Sequence, residues 1–179
     1  MESETLWKDC INFHGHSCPG LAMGFRAALT ALKILGLKGN CRAVDEELVC
    51  VSENDACGVD AIQWITGCTT GKGNMNIHLT GKQAWSFYDR RSDKSVRLVL
   101  KPFDRTKMTR EETLNWLLNS PAEELFEIKS VRGPVPEKAR MFNSIVCTKC
   151  GEAAREDLIR LQNGKPYCLD CFDPYNREV

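Results

Sequence analysis

Apolar and polar positions along this chain repeat with two different periods, which predicts a mixture of helices and strands. Residues 4–13 repeat apolar side chains at helical spacing, and residues 21–35 are apolar at almost every position. The non-apolar positions of the second segment are Gly24, Arg26, Thr30 and Lys33. A helix with so narrow a polar stripe must be buried around most of its girth. We expect a homodimer interface to provide part of that cover.

Capping signals locate the ends of the predicted helices. Ser17 is the expected N-cap of the apolar helix, and Gly36 is its expected terminator. A third helix is predicted over residues 57–66, with Asn54 or Asp55 as its N-cap. These assignments place two short cysteine-bearing segments at the starts of two helices.

Strands and helices follow one another without a regular strand–helix–strand repeat, which favours an α+β core. The expected strands lie near residues 47–52, 75–80, 82–88, 96–100 and 126–131. A capping box at residues 109–112 opens a helix to about residue 119, and a shorter helix follows it. The Pro-flanked stretch 133–136 is the expected domain boundary.

The chain is therefore predicted to have three parts. Residues 1–132 form an α+β core domain, residues 133–146 a linker and residues 147–179 a zinc-finger domain. Four cysteines define the last part, at the spacing of a structural zinc site: Cys147, Cys150, Cys168 and Cys171. Four thiolates complete a tetrahedron with no open position, so zinc is the expected ion, although a rubredoxin-like iron site uses the same ligands.

An Asn163-Gly164 dipeptide between the cysteine pairs predicts a hairpin, because a type I′ turn needs positive φ at both central residues. A knuckle, a hairpin and a terminal helical turn are typical of a treble-clef finger. Residues 133–179 contain seven Lys or Arg and seven Asp or Glu residues. That neutrality argues against a nucleic-acid finger and favours protein contacts or a purely structural role.

Bulk composition indicates a soluble cytoplasmic protein. Formal charge is zero, no apolar run approaches the ~20 residues of a membrane span, and the acidic start lacks the layout of a signal peptide. In a reducing cytosol the remaining cysteines are packed thiols, metal ligands or redox groups. These are Cys10, Cys18, Cys41, Cys50, Cys57 and Cys68.

A second cluster of metal-binding side chains precedes the two helices. His14, His16 and Cys18 lie within five residues, while Cys57 and Asp60 share one face of the third helix. The helix N-termini are expected to lower the pKa of both thiols. Such a set suits an open transition-metal site. The alternative is that these residues cap helices and fill the core without meeting in space.

A glycine-rich loop at residues 67–74 contains Gly71, Lys72 and Gly73. It has the wrong glycine spacing for a nucleotide P-loop and lies between a helix and a strand, the reverse of the required order. A backbone of this kind can still approach an anion or a cofactor, although a tight turn is an equal alternative. His78, alone in a strand pattern, is expected to be structural.

Four blocks of sequence resemble the FmdE-like family, which is named after a component of formylmethanofuran dehydrogenase. They begin with Phe-His-Gly-His-Ser-Cys-Pro-Gly and occupy residues 13–24, 55–63, 66–74 and 81–88. The resemblance covers roughly residues 8–131. It implies an α+β core, tightly intertwined dimers and, in some members, an appended C-terminal zinc finger.

The resemblance also implies a pocket near the 67–74 loop. Its implied members are His14, His16, Cys18, Cys57 and Asp60, of which all but His14 are candidate catalytic residues. The implied role is a metal-binding accessory or redox-linked component of one-carbon metabolism. The alternative is a metal-sensing adaptor that uses its finger for protein or nucleic-acid contacts. Family membership by itself implies no catalysis, because the molybdenum or tungsten pterin of the named enzyme is carried on other subunits.

Overall fold

The computed structural model describes residues 2–37 and 42–177. Cys41, predicted to be a packed thiol or a ligand, lies outside the described residues. The chain divides into two compact units, one up to Ala139 and one from Arg140. Within the described residues, no helix is long and apolar enough to cross a membrane.

Among its described residues, the first unit contains five α-helices and a five-stranded sheet. The helices are α1 (Glu2–His14), α2 (Pro19–Leu35), α3 (Gly58–Thr66), α4 (Arg110–Asn119) and α5 (Ala122–Leu125). The strands are β1 (Leu48–Ser52), β2 (Met75–Ile77), β3 (Ala84–Asp89), β4 (Lys94–Leu100) and β5 (Phe126–Lys129). The strand order is β2-β1-β3-β4-β5, with β1 and β2 parallel and the other pairs antiparallel.

Helix α2 forms the centre of the core. It packs against α1, α3 and α4 and on the sheet through β3 and β4, so most of its side chains are buried. Its Arg26 donates to the carbonyls of Leu117, Leu118 and Ser120 at the end of α4. Elements of the same chain therefore already cover this helix, and its apolar surface is no longer an argument for a dimer. The homodimer stays a prediction.

The helix ends differ from the predicted caps. The N-cap of α2 is Cys18, whose Sγ accepts the N–H of Leu21 at 3.3 Å, so the Ser17 assignment is wrong. The N-cap of α3 is Cys57, and Asn54 instead accepts the N–H of Ala56. Both corrections move a thiol to the helix terminus itself. The predicted terminator Gly36 and the capping box of α4 are confirmed.

The described part of the second unit, up to residue 177, contains two hairpins. They are formed by β6 (Ser144–Val146) with β7 (Ala153–Arg155), and by β8 (Arg160–Gln162) with β9 (Lys165–Tyr167). Asn163 and Gly164 have φ of 51° and 72°, which confirms the predicted turn. Phe172 donates to the carbonyl of Cys168, closing one helical turn. The α+β class with an appended four-cysteine finger is confirmed, and the treble-clef assignment stays a prediction.

Candidate metal centres

The four cysteines of the second unit form a compact group. One pair lies in the knuckle between β6 and β7, and the other pair follows β9. The sulfur atoms of Cys147, Cys150, Cys168 and Cys171 all lie within 4.8 Å of one another. Backbone N–H groups of Cys150 and Cys168 lower the pKa of the Cys147 thiol to about 6. A site that favours its first thiolate in this way is suited to a divalent cation.

The finger depends on this group because it has almost no hydrophobic core. Among its described residues only Cys147 is buried. Without a cation a further thiolate is disfavoured, since the neighbouring thiol of Cys168 raises the pKa of Cys171 to about 12. Four sulfurs with no further donor make a closed site, which is structural and not catalytic.

A second group of donors forms in the first unit, where three helix ends meet. His14 ends α1, Cys18 caps α2 and Cys57 caps α3. Their ligand atoms lie within 4.8 Å of one another, so the alternative in which these residues never meet does not hold. Only three donors belong to this group among the described residues. A tetrahedral ion held here would keep an open coordination position.

Close helix packing brings the two thiols together. A Cβ atom at Gly24 of α2 would overlap the backbone of Gly58 in α3, so the helices touch at two glycines. One turn earlier, a Cβ at Gly20 would lie 3.3 Å from the Cβ of Cys57. Larger residues at these positions would separate the helix N-termini and, with them, the two sulfurs.

His14 is held in one orientation by Asp60. Its Nδ1–H donates to Asp60 Oδ2 at 2.7 Å, while its Nε2 is buried and has no hydrogen-bond partner. A buried polar atom without a partner is unusual and needs an explanation. A carboxylate on one ring nitrogen and a free second nitrogen is the usual arrangement of a metal-binding histidine. The Nε2 atom of His14 is therefore free to act as a ligand.

His16 occupies a different position from His14. It is exposed, and its ring lies against that of His14 with 4.5 Å between centroids. The three-donor group found among the described residues contains His14 and not His16. The sequence left the choice between the two imidazoles open, and the geometry brings His14, not His16, to the two thiols.

The expected depression of the thiol pKa is wrong for Cys57. Burial raises its pKa, and the neighbouring Cys18 raises it further. These two effects outweigh the favourable end of the helix dipole, which extends over only one turn. Without a cation, Cys57 is therefore a neutral thiol at pH 7.

A cleft of about 400 Å³ gives access to this group. It is lined by His14, Asp55, Cys57, Asp60, Thr70 and Ile77, among others. Thr70 belongs to the glycine-rich loop, so that loop does lie at the site. Sequence reasoning missed Thr70 as a wall of the cleft, since only its membership of the loop could have indicated it.

The lysine of the glycine-rich loop has a structural contact. Lys72 Nζ donates to the carbonyl of Ala43 at 2.7 Å, and Asn74 ties the loop to the carbonyls of Asp45 and Leu48. Gly71 faces open space, whereas Gly73 has a φ of 77°. These contacts favour the tight-turn alternative. Cofactor binding by Gly71, Lys72 and Gly73 stays a prediction.

Two family models match the chain. The model described as "FmdE, Molybdenum formylmethanofuran dehydrogenase operon" matches residues 13–129. The model described as "Prokaryotic dksA/traR C4-type zinc finger" matches residues 140–177. The first match contains the three-donor group, and the second contains the four cysteines.

Known proteins resemble the chain over most of its length. A "Probable S-adenosyl-L-methionine-binding protein" of Archaeoglobus fulgidus is 29% identical over an alignment 191 residues long, which covers 91% of this chain and 51% of the relative. The chain thus spans about half the length of this curated relative. The crystal structure of a tungsten formylmethanofuran dehydrogenase FmdE-like protein from Syntrophus aciditrophicus superposes with a TM-score of 0.67 at 24% identity. The likeness covers 94% of this chain and 90% of that one and supports the same fold.

Proposed function

This chain belongs to the FmdE family, and from that premise we propose that its core domain binds one transition-metal ion through His14, Cys18 and Cys57. The observation that carries the proposal is the buried, unpartnered Nε2 of His14 beside two thiols at helix N-cap positions. One imidazole and two thiolates suit zinc or another borderline-soft ion. The finger would hold a separate, structural zinc.

The role we propose is that of a metal-binding accessory or redox-linked component of one-carbon metabolism. The open cleft beside Cys57 would admit a small substrate or a partner's group. An ion bound there would polarise a substrate oxygen or lower the pKa of a bound water. Asp60 would hold the His14 ring in the tautomer that leaves Nε2 free.

Metal analysis of the anaerobically purified full chain tests the proposal. We expect two equivalents per chain in the wild type and one in Cys57→Ala, with the finger zinc retained. Cys10→Ala removes a buried thiol outside both groups and serves as the matched control, which should keep two equivalents. One equivalent in the wild type, or two in Cys57→Ala, would refute the core site.

A metal-sensing adaptor is the second candidate. It is favoured by the match of the tail to a C4-type finger and by exposed apolar side chains there, namely Leu161, Leu169 and Tyr175. Hydrogen exchange of the full chain, with and without metal in the core, separates the two candidates. A sensor would change protection in the finger when the core is loaded, and Cys57→Ala would abolish that change. An accessory protein would show protection changes only around α1, α2 and α3.

The archaeal relative adds S-adenosyl-L-methionine to the ligands to be tested. Calorimetric titration of the full chain with this compound is the direct measurement. Because the chain corresponds to about half of that relative, absence of binding would mean that this chain does not share the property that the relative's name states.

A further inference from the structure

The sheet has a second face, which does not belong to the core beneath α2. Trp85 and Phe87 on β3 point into that core. Ser86 and Tyr88 alternate with them and therefore point to the opposite side. Arg97 on β4 pairs with Ser86 and shares its face. These three polar residues are nevertheless 6%, 3% and 2% exposed, so this face is also covered.

The cover is the chain segment that follows β5. We call residues 132–139 the strap. Arg90 Nη2 donates to the carbonyl of Pro136 at 2.6 Å, and the N–H of Ala139 donates to the Glu46 carboxylate at 3.1 Å. The strap is thus attached at its far end, and it extends from β5 over the polar face of the sheet.

A cavity of about 380 Å³ lies between the strap and the sheet. Val51, Ser86 and Tyr88 line it from the strands, and Pro134 and Pro136 line it from the strap. Ligand pockets of proteins have volumes of roughly 300–1,000 Å³ and combine an apolar wall with a few polar groups. This cavity has both properties.

The cavity is electrically positive. The carboxylate that lines it, Glu53, accepts a 2.6 Å hydrogen bond from Arg97, so that charge is neutralised. Lys82 and Arg132 also line the cavity and are exposed. In the described part of the chain, neither of them forms a salt bridge. Lys82 acts on Glu53 through its charge alone, so both cations keep their side-chain donors for a ligand.

This cavity and the metal-site cleft use opposite sides of the same strand. Asn76 lines the cavity, whereas its neighbour Ile77 lines the cleft beside Cys57. Successive side chains of a strand point to opposite faces, so the two sites are separated by the sheet. His78, expected to be structural, is exposed and lines the cavity.

We propose that the cavity binds a small organic anion. The carboxylate or phosphate of the ligand contacts Lys82 and Arg132, because a guanidinium donates to either group through two parallel hydrogen bonds. The apolar body of the ligand lies on Val51, Tyr88 and the prolines of the strap. A free metal ion is not the ligand, since Glu53 is already paired with Arg97.

Calorimetric titration of the full chain with two anions and their neutral counterparts tests this proposal. The probes are adenosine 5′-monophosphate against adenosine, and 4-phenylbutyrate against 4-phenylbutyramide. We expect at least one anion to bind roughly tenfold more tightly than its neutral counterpart, and added salt to reduce that difference. The pair that shows the difference identifies the acidic group as phosphate or carboxylate.

Variants assign the binding to the cavity. Lys82→Gln and Arg132→Gln should each weaken anion binding roughly fivefold or more. Lys8→Gln, an exposed position of α1, should leave the affinity unchanged. Unchanged melting temperatures would show that these exposed substitutions leave the fold intact. The proposal is overturned if the neutral compounds bind equally well, if both variants bind like the wild type, or if no probe binds at about 5 mM.

Discussion

The finger and the core each bring thiols together, but they do so over very different chain distances. In the finger, all four sulfurs come from one short segment, Cys147 to Cys171, and two hairpins hold them. In the core, the donors come from three helices, and the chain between His14 and Cys57 includes the whole of α2 and β1. The first site is closed, and the second has three donors beside an open cleft.

The finger needs its site in order to fold, whereas the core site forms because the core has folded. The finger buries little apolar surface, so its stability must come from the ion. The core has a continuous apolar interior, and its helices would pack without an ion. A closed site of local origin is therefore structural, whereas an open site assembled by packing is available for function.

The largest effect is expected from breaking the finger site. Cys150→Ser should unfold the second unit, because structural zinc sites contribute ~10–16 kcal/mol at pH 7. Hydrogen exchange should show that β6–β9 lose protection while β1–β5 keep theirs. Thr148→Ser, in the same knuckle, is the matched control and should keep both the zinc and the protection. Persistent protection in Cys150→Ser would mean that packing, not metal, folds the finger.

The next effect concerns the helix contact that assembles the core site. Gly24→Ala should destabilise the first unit by about 3 kcal/mol or more, because its Cβ meets the backbone of Gly58. Urea denaturation followed by tryptophan fluorescence measures this loss. Core metal should be lost from the variant as well, with the finger zinc unaffected.

Gly71→Ala is the control for that substitution, since its Cβ would face open space. It should change stability by less than about 0.5 kcal/mol. Equal effects of the two substitutions would show that the close approach of α2 and α3 does not determine the stability of the core.

A buried ion pair gives the core a pH dependence of its own, separate from the titration of the finger thiols. The hydrogen bond from Arg97 lowers the pKa of Glu53. Glu53→Gln should cost about 2–3 kcal/mol at pH 7, because it leaves the guanidinium buried without its counter-charge.

The sign of this dependence follows from the lowered pKa. The carboxylate stabilises the fold above its unfolded pKa of about 4.3, and that stabilisation is lost as pH falls through the lower folded value. The difference in unfolding free energy between wild type and Glu53→Gln should therefore shrink below about pH 4.3. A difference independent of pH would assign the effect to packing alone.

The smallest effect is expected for the residue that orients His14. Asp60→Asn should weaken core metal binding roughly 10–100-fold, while leaving the finger zinc in place, because such partners fix the ligand ring. Competition with a chromophoric chelator measures the affinity. Asp55→Asn is the matched control, since Asp55 lines the same cleft without a hydrogen bond to His14 and should leave the affinity unchanged.

Features set by contacts within a few residues were predictable from the sequence. The Asn163-Gly164 turn, the terminator Gly36 and the capping box of α4 all formed where the sequence places them. The caps of α2 and α3 were not predictable in this way. Ser17 and Asn54 are good capping residues, but the chain enters each helix through a cysteine instead.

Charges inside apolar patterns were harder to interpret. Arg97 interrupts the apolar run of β4, and such a residue in a central strand indicates a buried partner. The sequence does not identify that partner as Glu53, because β1 and β4 pair through β3 and not with each other. The cavity under the strap was not predictable either, because its walls come from several strands and from residues 132–136, which are distant in sequence.

By itself, the sequence determined the α+β class, the family and the four zinc ligands of the finger. The ligands were predictable because close spacing along a chain enforces proximity whatever the rest of the fold does. Only the tertiary structure brought His14 rather than His16 to the thiols, oriented its ring through Asp60 and set Cys18 beside Cys57. Those choices depend on the packing of α1, α2 and α3, where contacts join residues more than 40 positions apart. No local pattern specifies such a contact, since it results from how whole helices fit together.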